Sequence, residues 1–310
     1  MSTDYLHRVR AEPFDQLDNF LHYSDGVSTQ QTTTGQREHG EALTDQAHFV
    51  TGVSFPEAME LERVEPDLYR SNFTYEDEYR LYGGQVAAQA LLAAGRTVED
   101  GRHPHSLHGY FLRSGRCELP TVFEVHRDRD GRSYSARRVV ARQEGKAIFT
   151  AVMSFAVASP EGVGANHQVL AAPTVPAPEL CEQIPVPRLF AHEWGLLEQL
   201  TPDLPFPERF WSRCTSDLGD DPLMHASAIL YMSDGSSGLG RLHDEHSITG
   251  ASLDHAVWFH QPVRADEWLL NIMEPARTAH GRGLYTGSMF TEDGTLAVSL
   301  AQQALFRRVV

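Results

Sequence analysis

Leu107-His108-Gly109-Tyr110-Phe111-Leu112-Arg113 and Asp254-His255-Ala256-Val257-Trp258-Phe259-His260 are two aromatic, apolar stretches at the same place in two similar strings of sequence. Each follows a helical pattern, at residues 84–95 and 222–234. After the first come Gly131-Arg132-Ser133-Tyr134, the pair Glu144-Gly145 and an apolar run to Ala156. After the second come Gly281-Arg282-Gly283-Leu284, the pair Asp293-Gly294 and an apolar run to Phe306. The intervals agree: His108 to Gly131 is 23 residues and His255 to Gly281 is 26, while Gly131 to Gly145 is 14 and Gly281 to Gly294 is 13. Four features in one order point to an internal repeat.

Each copy predicts one helix followed by strands. Asp221-Pro222 is an N-cap followed by a first-turn proline, and Gly95 and Gly235 suit helix stops. Period-two alternation predicts strands over 121–127, 133–140, 268–273 and 296–306. Turns at Asp128-Arg129-Asp130-Gly131, Glu144-Gly145 and Glu292-Asp293-Gly294 make neighbouring strands antiparallel. One helix plus an antiparallel sheet, twice, is an α+β chain.

The predicted organisation is an N-terminal extension over 1–54, a first module over 55–157, a Pro-rich linker over 158–187 and a second module over 188–310. Residues 28–46 are nearly free of large apolar side chains and read as a mobile tail. Residues 14–23 suit a short amphipathic helix. The linker holds Pro160, Pro173, Pro176, Pro178, Pro185 and Pro187 and reads as a surface crossing.

Composition excludes several classes. The 310 residues carry 42 acidic against 26 basic side chains, a formal charge of −16, and Lys146 is the single lysine. Such a surface argues against general nucleic-acid or anionic-membrane binding. An anionic substrate would need a local cluster of arginines. Three widely spaced cysteines suggest neither a disulfide framework nor a zinc site, and a reducing cytoplasm is the expected compartment. No apolar run approaches the roughly 20 residues of a membrane helix. No phosphate-binding loop, dinucleotide fingerprint or nucleophile elbow appears, and no cofactor is expected.

At this level of detail the chain resembles the type II acyl-CoA thioesterases, double hot-dog enzymes of bacteria and peroxisomes. In the first copy the resemblance rests on Tyr82-Gly83-Gly84-Gln85-Val86, on residues 105–113 and on residues 131–139. In the second it rests on Ser233-Asp234, on Leu253-Asp254-His255 through His260, on Glu267-Trp268-Leu269-Leu270 and on the last strand around Gln302. It covers roughly 55–308. It implies two tandem modules, each an antiparallel sheet wrapped around a central helix, and an acyl-CoA substrate. Self-association through the hot-dog sheets is left open. The family's water-activating Asp, Thr and Gln fall on Asp234, Ser252 and Gln302. The serine is a departure that keeps the hydroxyl and drops the methyl.

The residues can also be weighed by themselves. Gln302 is the single polar member of the face Leu296, Val298, Leu300, Gln302, Ala304, Phe306. A buried amide must be hydrogen-bonded, which a structural role satisfies as well as a catalytic one. Asp234 shares a helical stripe with Leu223 and Leu230 and ends its helix, where the dipole disfavours a carboxylate. Burial there would raise its pKa toward that of a general base; an exposed, solvated Asp is the alternative. Counted from shared glycines and histidines, Asp234, Ser252 and Gln302 align with Ala94, His105 and Met153, so the chemistry is expected in the second copy.

Backbone N–H groups at Gly83-Gly84-Gln85 are candidate oxyanion donors. His105 is a second candidate base. Arg137-Arg138 and Arg307-Arg308 are candidates for coenzyme A phosphates, with solvated strand ends as the plain reading. His243-Asp244-Glu245-His246 has metal-like spacing within a loop. A hot-dog acyl-CoA hydratase and a non-catalytic acyl-CoA-binding protein are the competing functions.

Overall fold

The structure, a computed structural model, describes residues 52–75, 80–158, 167–186, 191–201, 204, 206–243 and 247–308. The tail over 28–46, the helix expected over 14–23 and most of His243-Asp244-Glu245-His246 lie outside them. The first half runs α1 (Phe55–Ala58), β1 (Leu61–Glu65), β2 (Leu68–Ser71), α2 (Gly83–Gly95), β3 (Arg102–Phe111), β4 (Val122–Asp130), β5 (Tyr134–Gln143) and β6 (Lys146–Val157). The second runs β7 (Glu182–Pro185), β8 (His192–Leu196), β9 (Arg209–Cys214), α3 (Pro222–Ser233), β10 (Ser247–Ser252), β11 (Asp254–Phe259), β12 (Leu269–Ala279), β13 (Arg282–Thr291) and β14 (Leu296–Arg308).

Among the described residues one antiparallel sheet takes in every strand, in the order β1-β2-β4-β5-β6-β3-β11-β14-β13-β12-β9-β8-β7, with β10 beside β14. Read outward from the β3–β11 seam, the second half repeats the order of the first. The seam pairs Asp254 with Tyr110 and Trp258 with Ser106, so the two quoted stretches are hydrogen-bonded to each other. This is the double hot-dog arrangement.

The two long helices lie inside the wrap. In α2 every residue from Gly84 to Ala94 is buried, as expected of a helix apolar on all sides. Asp221 Oδ1 accepts the Leu223 N–H at 2.9 Å and Pro222 occupies the first turn of α3. The helices touch through residues without side chains. A Cβ on Gly84 would lie 2.6 Å from the Tyr231 carbonyl oxygen, and one on Gly95 2.5 Å from Leu223 Cδ1. Alanine at Gly84 would push the helices apart, and alanine at Gly95 would displace the Leu223 side chain.

The repeat holds, and its residue count needs two corrections. His255 is fully buried whereas His108 is exposed, its ring edge-on to Trp258. The two histidines face opposite sides of the sheet, so the alignment slips by one residue. Met153 does face inward, paired with Leu107. Counted from the N-caps Tyr82 and Asp221, Asp234 corresponds to Gly95 and not to Ala94. The asymmetry survives, because neither residue carries a functional group.

The described part of the Pro-rich stretch, 167–186, is docked. Its Glu182–Pro185 segment is an edge strand on β8. The Trp211 indole N–H donates to the Pro176 carbonyl at 3.0 Å. Ala172 and Val175 pack on an outer cluster of Trp211, Trp268, Leu270 and Phe290.

Arg137 is also inward-facing, 1% exposed. Its guanidinium donates to Thr97 Oγ1 at 2.8 Å and to the Thr97 and Arg129 carbonyls, both at 3.0 Å. It also pairs with Asp130 at 2.7 Å. It ties the end of α2 to the β4–β5 hairpin and cannot reach a phosphate in solution. Replacing Arg137 with Met should strand those buried acceptors and destabilise the fold by about 3 kcal/mol. Chemical denaturation would measure this, and KM of the folded fraction should be unchanged.

Candidate active site

Asp234, Ser252 and Gln302 come from three separate elements. Asp234 is the C-cap of α3. Ser252 ends β10, at an irregular step in the β10–β14 ladder. Gln302 lies mid-way along β14 on its inward face, 2% exposed. The structure brings the three together. Gln302 Nε2 donates to Asp234 Oδ1 at 2.7 Å and to Ser252 Oγ at 2.6 Å. Ser252 Oγ donates to the same Oδ1 at 3.2 Å. The triangle uses both amide protons and the hydroxyl proton, and it needs a carboxylate that accepts.

The first module completes the site. The Gly84 N–H donates to the Asp234 carboxylate. A Cβ on Gly83 would lie 2.7 Å from Asp234 Oδ2 and 2.9 Å from the Phe111 ring. The N-terminus of α2 therefore abuts the C-cap of α3, and its dipole favours the carboxylate that α3's own dipole opposes. Tyr82, the N-cap of α2, donates its hydroxyl to the Tyr231 carbonyl at 2.7 Å. This satisfies one of the orphan acceptors at the end of α3. Of the proposed oxyanion donors, the Gly84 N–H is thus used by Asp234. The Gln85 N–H is bonded to the Tyr82 carbonyl at 3.2 Å. The Gly83 N–H, first in the helix, is the remaining donor.

His255 is the residue that sequence reasoning missed. Its imidazole is fully buried, with Nε2 2.7 Å from Ser233 Oγ. The Asp234 charge favours its protonated form, but burial outweighs it and lowers its pKa. Its Nδ1 and the Gln302 Oε1 have no hydrogen-bond partner among the described residues. The available signal was the alternation His255, Val257, Phe259, which places the imidazole on the apolar face.

Asp234 is partly exposed, so solvent can reach it. It is still enclosed deeply enough that burial dominates and raises its pKa; the His255 ring, Gln302, Ser252 and Gly84 oppose the rise without cancelling it. His105 sits elsewhere, with its ring 2.8 Å from Ser154 Oγ and edge-on to Tyr134. His243 Nε2 accepts the Thr249 N–H at 3.1 Å.

Residues 75–156 match the acyl-CoA thioesterase N-terminal domain, and residues 173–306 match the acyl-CoA thioesterase C-terminal domain. Acyl-coenzyme A thioesterase 8 of Homo sapiens is 35% identical over 80% of this chain and 87% of its own length. The chain belongs to the type II acyl-CoA thioesterases. It is a hydrolase of thioester bonds. Acyl-CoA thioesterase 2 of Haemophilus influenzae is 30% identical over 80% of this chain and 95% of its own. Among solved structures, acyl-CoA thioesterase II TesB2 from Mycobacterium marinum superposes with a TM-score of 0.67 at 39% identity, covering 82% of this thioesterase and 97% of that chain. Among the described residues no helix is long and apolar enough to cross a membrane.

The raised pKa of Asp234 has a consequence for stability. A carboxyl with a folded pKa above its unfolded value binds its proton more tightly when folded. It therefore favours folding below the unfolded pKa and opposes it progressively as pH rises through the folded one. Asp234→Asn should accordingly raise the melting temperature most at alkaline pH, with the gain shrinking as the solution is acidified. A gain that grew on acidification would contradict the burial of this charge.

Proposed function

We propose that this thioesterase hydrolyses fatty acyl-CoA to free fatty acid and coenzyme A, using a water activated by Asp234, Ser252 and Gln302. The observation that carries the reading is the convergence of both donors on Asp234 Oδ1. Asp234 takes the proton of a water held beside Ser252 and Gln302. The resulting hydroxide attacks the acyl carbon. As the C–S bond breaks, the proton returns from Asp234 to the departing thiolate. The Gly83 N–H, at the positive end of α2, then stabilises the charge that develops on the acyl oxygen.

Direct attack by Asp234 through an anhydride is the second reading. The bonds from Ser252, Gln302 and Gly84 lower the nucleophilicity and the basicity of its carboxylate alike. The hydratase reading called for an Asp–His pair. Asp254 and His255 are neighbours, but Asp254 Oδ1 accepts the Gln303 N–H at 2.7 Å while His255 points inward. A non-catalytic binder would not require the three-residue triangle.

Thiol release from a panel of acyl-CoAs, followed with a thiol reagent, tests the assignment. Asp234→Ala should lose about 10³-fold or more in kcat while remaining folded. Ser252→Ala and Gln302→Met should each lose about 10-fold to 100-fold, and Ser252→Thr should retain most activity. The kcat/KM of the parent should rise with pH through a pKa above the usual carboxylate range. A fully active Asp234→Ala enzyme would overturn the scheme.

A further inference from the structure

Two chain segments leave the Asp234 cluster and reach the surface side by side. One runs back from Gly83 through Leu81 to Arg80; the other runs on from Phe111 through Leu112 to Arg113 and Arg116. They stay together, since the Leu81 N–H donates to the Gly115 carbonyl at 3.0 Å and Arg80 forms an antiparallel bridge with Arg116. The second segment is also tied to the start of β6. The Leu112 and Arg113 N–H groups donate to the Ile148 carbonyl at 2.8 and 3.2 Å, and Arg113 Nη1 donates to the Ala147 carbonyl at 2.7 Å. Lys146, the single lysine, is the next residue of that strand.

Arg80, Arg113, Arg116 and Lys146 are all exposed. Arg116 is neutralised by Glu118 at 2.6 Å, with Glu144 close by. Arg80, Arg113 and Lys146 have no carboxylate partner among the described residues. In a chain of net charge −16, Arg80, Arg113 and Lys146 are three exposed cations on adjoining segments that no carboxylate neutralises among the described residues. Arg80 is three residues from Gly83, a span of at most about 10 Å, and Arg113 is two residues from the Phe111 ring that touches Gly83. The positive end of α2 lies between them and the carboxylate.

We infer that Arg80, Arg113 and Lys146 form the anchor for the phosphates of the coenzyme A moiety, with the pantetheine arm crossing from them to the thioester at Gly83 and Asp234. This inference rests on the acyl-CoA reading and extends it to the part of the substrate remote from the reaction. Charged phosphate contacts there steer the substrate in and hold it, without touching the reacting atoms. Arg137 is unavailable for that role because it is buried in structural bonds.

The test is calorimetric binding of free coenzyme A and of pantetheine to the full-length protein at low and at moderate salt. The parent should bind coenzyme A more than tenfold tighter than pantetheine, and the difference should narrow as salt rises. The Arg80→Glu, Arg113→Glu double variant should weaken coenzyme A by at least about tenfold, the loss expected for charge-assisted bonds. Its selectivity for coenzyme A over pantetheine should collapse. Arg277→Glu, the same charge change at an exposed residue of β12, is the control and should bind coenzyme A as the parent does. Unaltered coenzyme A binding in the double variant would overturn the inference. So would equal affinity of the parent for the two ligands, or a loss confined to Arg307→Glu. Failure of the parent to release thiol from acyl-CoA, with phosphate-dependent coenzyme A binding intact, would count against the hydrolysis reading and leave the anchor standing.

Discussion

Contact between the two central helices is the constraint on which the site depends. Gly84 and Gly95 let the backbones approach until the Tyr231 carbonyl and the Leu223 side chain fill the space a Cβ would take. At that distance the start of α2 meets the end of α3. A carboxylate at a helix C-terminus is opposed by its own dipole, and one enclosed by protein also loses hydration. Asp234 tolerates both because the Gly84 N–H and the opposite dipole of the other helix face it. Neither module alone has both halves of that arrangement. The β3–β11 seam fixes the helices at this spacing, since it makes the two sheets one.

Around the carboxylate, burial and polar attraction are set against each other. Ser252, Gln302, Gly84 and His255 all favour ionised Asp234, and burial still raises its pKa. The same burial lowers the pKa of His255. The result is a carboxyl that holds its proton to higher pH than a solvated aspartate does, beside an imidazole inclined to stay uncharged. Burial also pushes the Tyr82 phenol well above its ordinary range, with Asp234 adding to the effect, so its hydroxyl remains a donor to Tyr231.

The helix positions and the strand alternation were legible because they depend on local chemistry. Asp221-Pro222 marks one helix start, and the lone amide in the apolar face of 296–306 marks Gln302 as inward-facing. The grouping of Asp234, Ser252 and Gln302 rested on resemblance, and the structure joins their side chains by hydrogen bonds. What stayed hidden depends on register and on contacts distant in sequence. Matching His108 with His255 by identity ignored the two-residue period of a strand, which decides the facing. Arg137 looked like a surface charge. Its alternation with Ser135, Val139 and Ala141 carried the opposite message, and buried carbonyls at a helix end were needed to accommodate it. The Gly84 bond to Asp234 and the docking of the Pro-rich stretch join residues too far apart for any local pattern to show them.

The docked connection between the modules makes the molecule a covalently tethered dimer. Two separate hot-dog chains meeting at a shared site would be held by mass action, and dilution would dissolve the site. Here the partner half is always present at the high effective concentration set by its tether. The Trp211–Pro176 bond and the edge strand β7 further restrict that tether on the second half. Covalent linkage also frees the two halves from being identical. A symmetric dimer must carry its functional groups twice, whereas this chain places Asp and Gln at one end of the pseudo-symmetry and Gly95 and Met153 at the other.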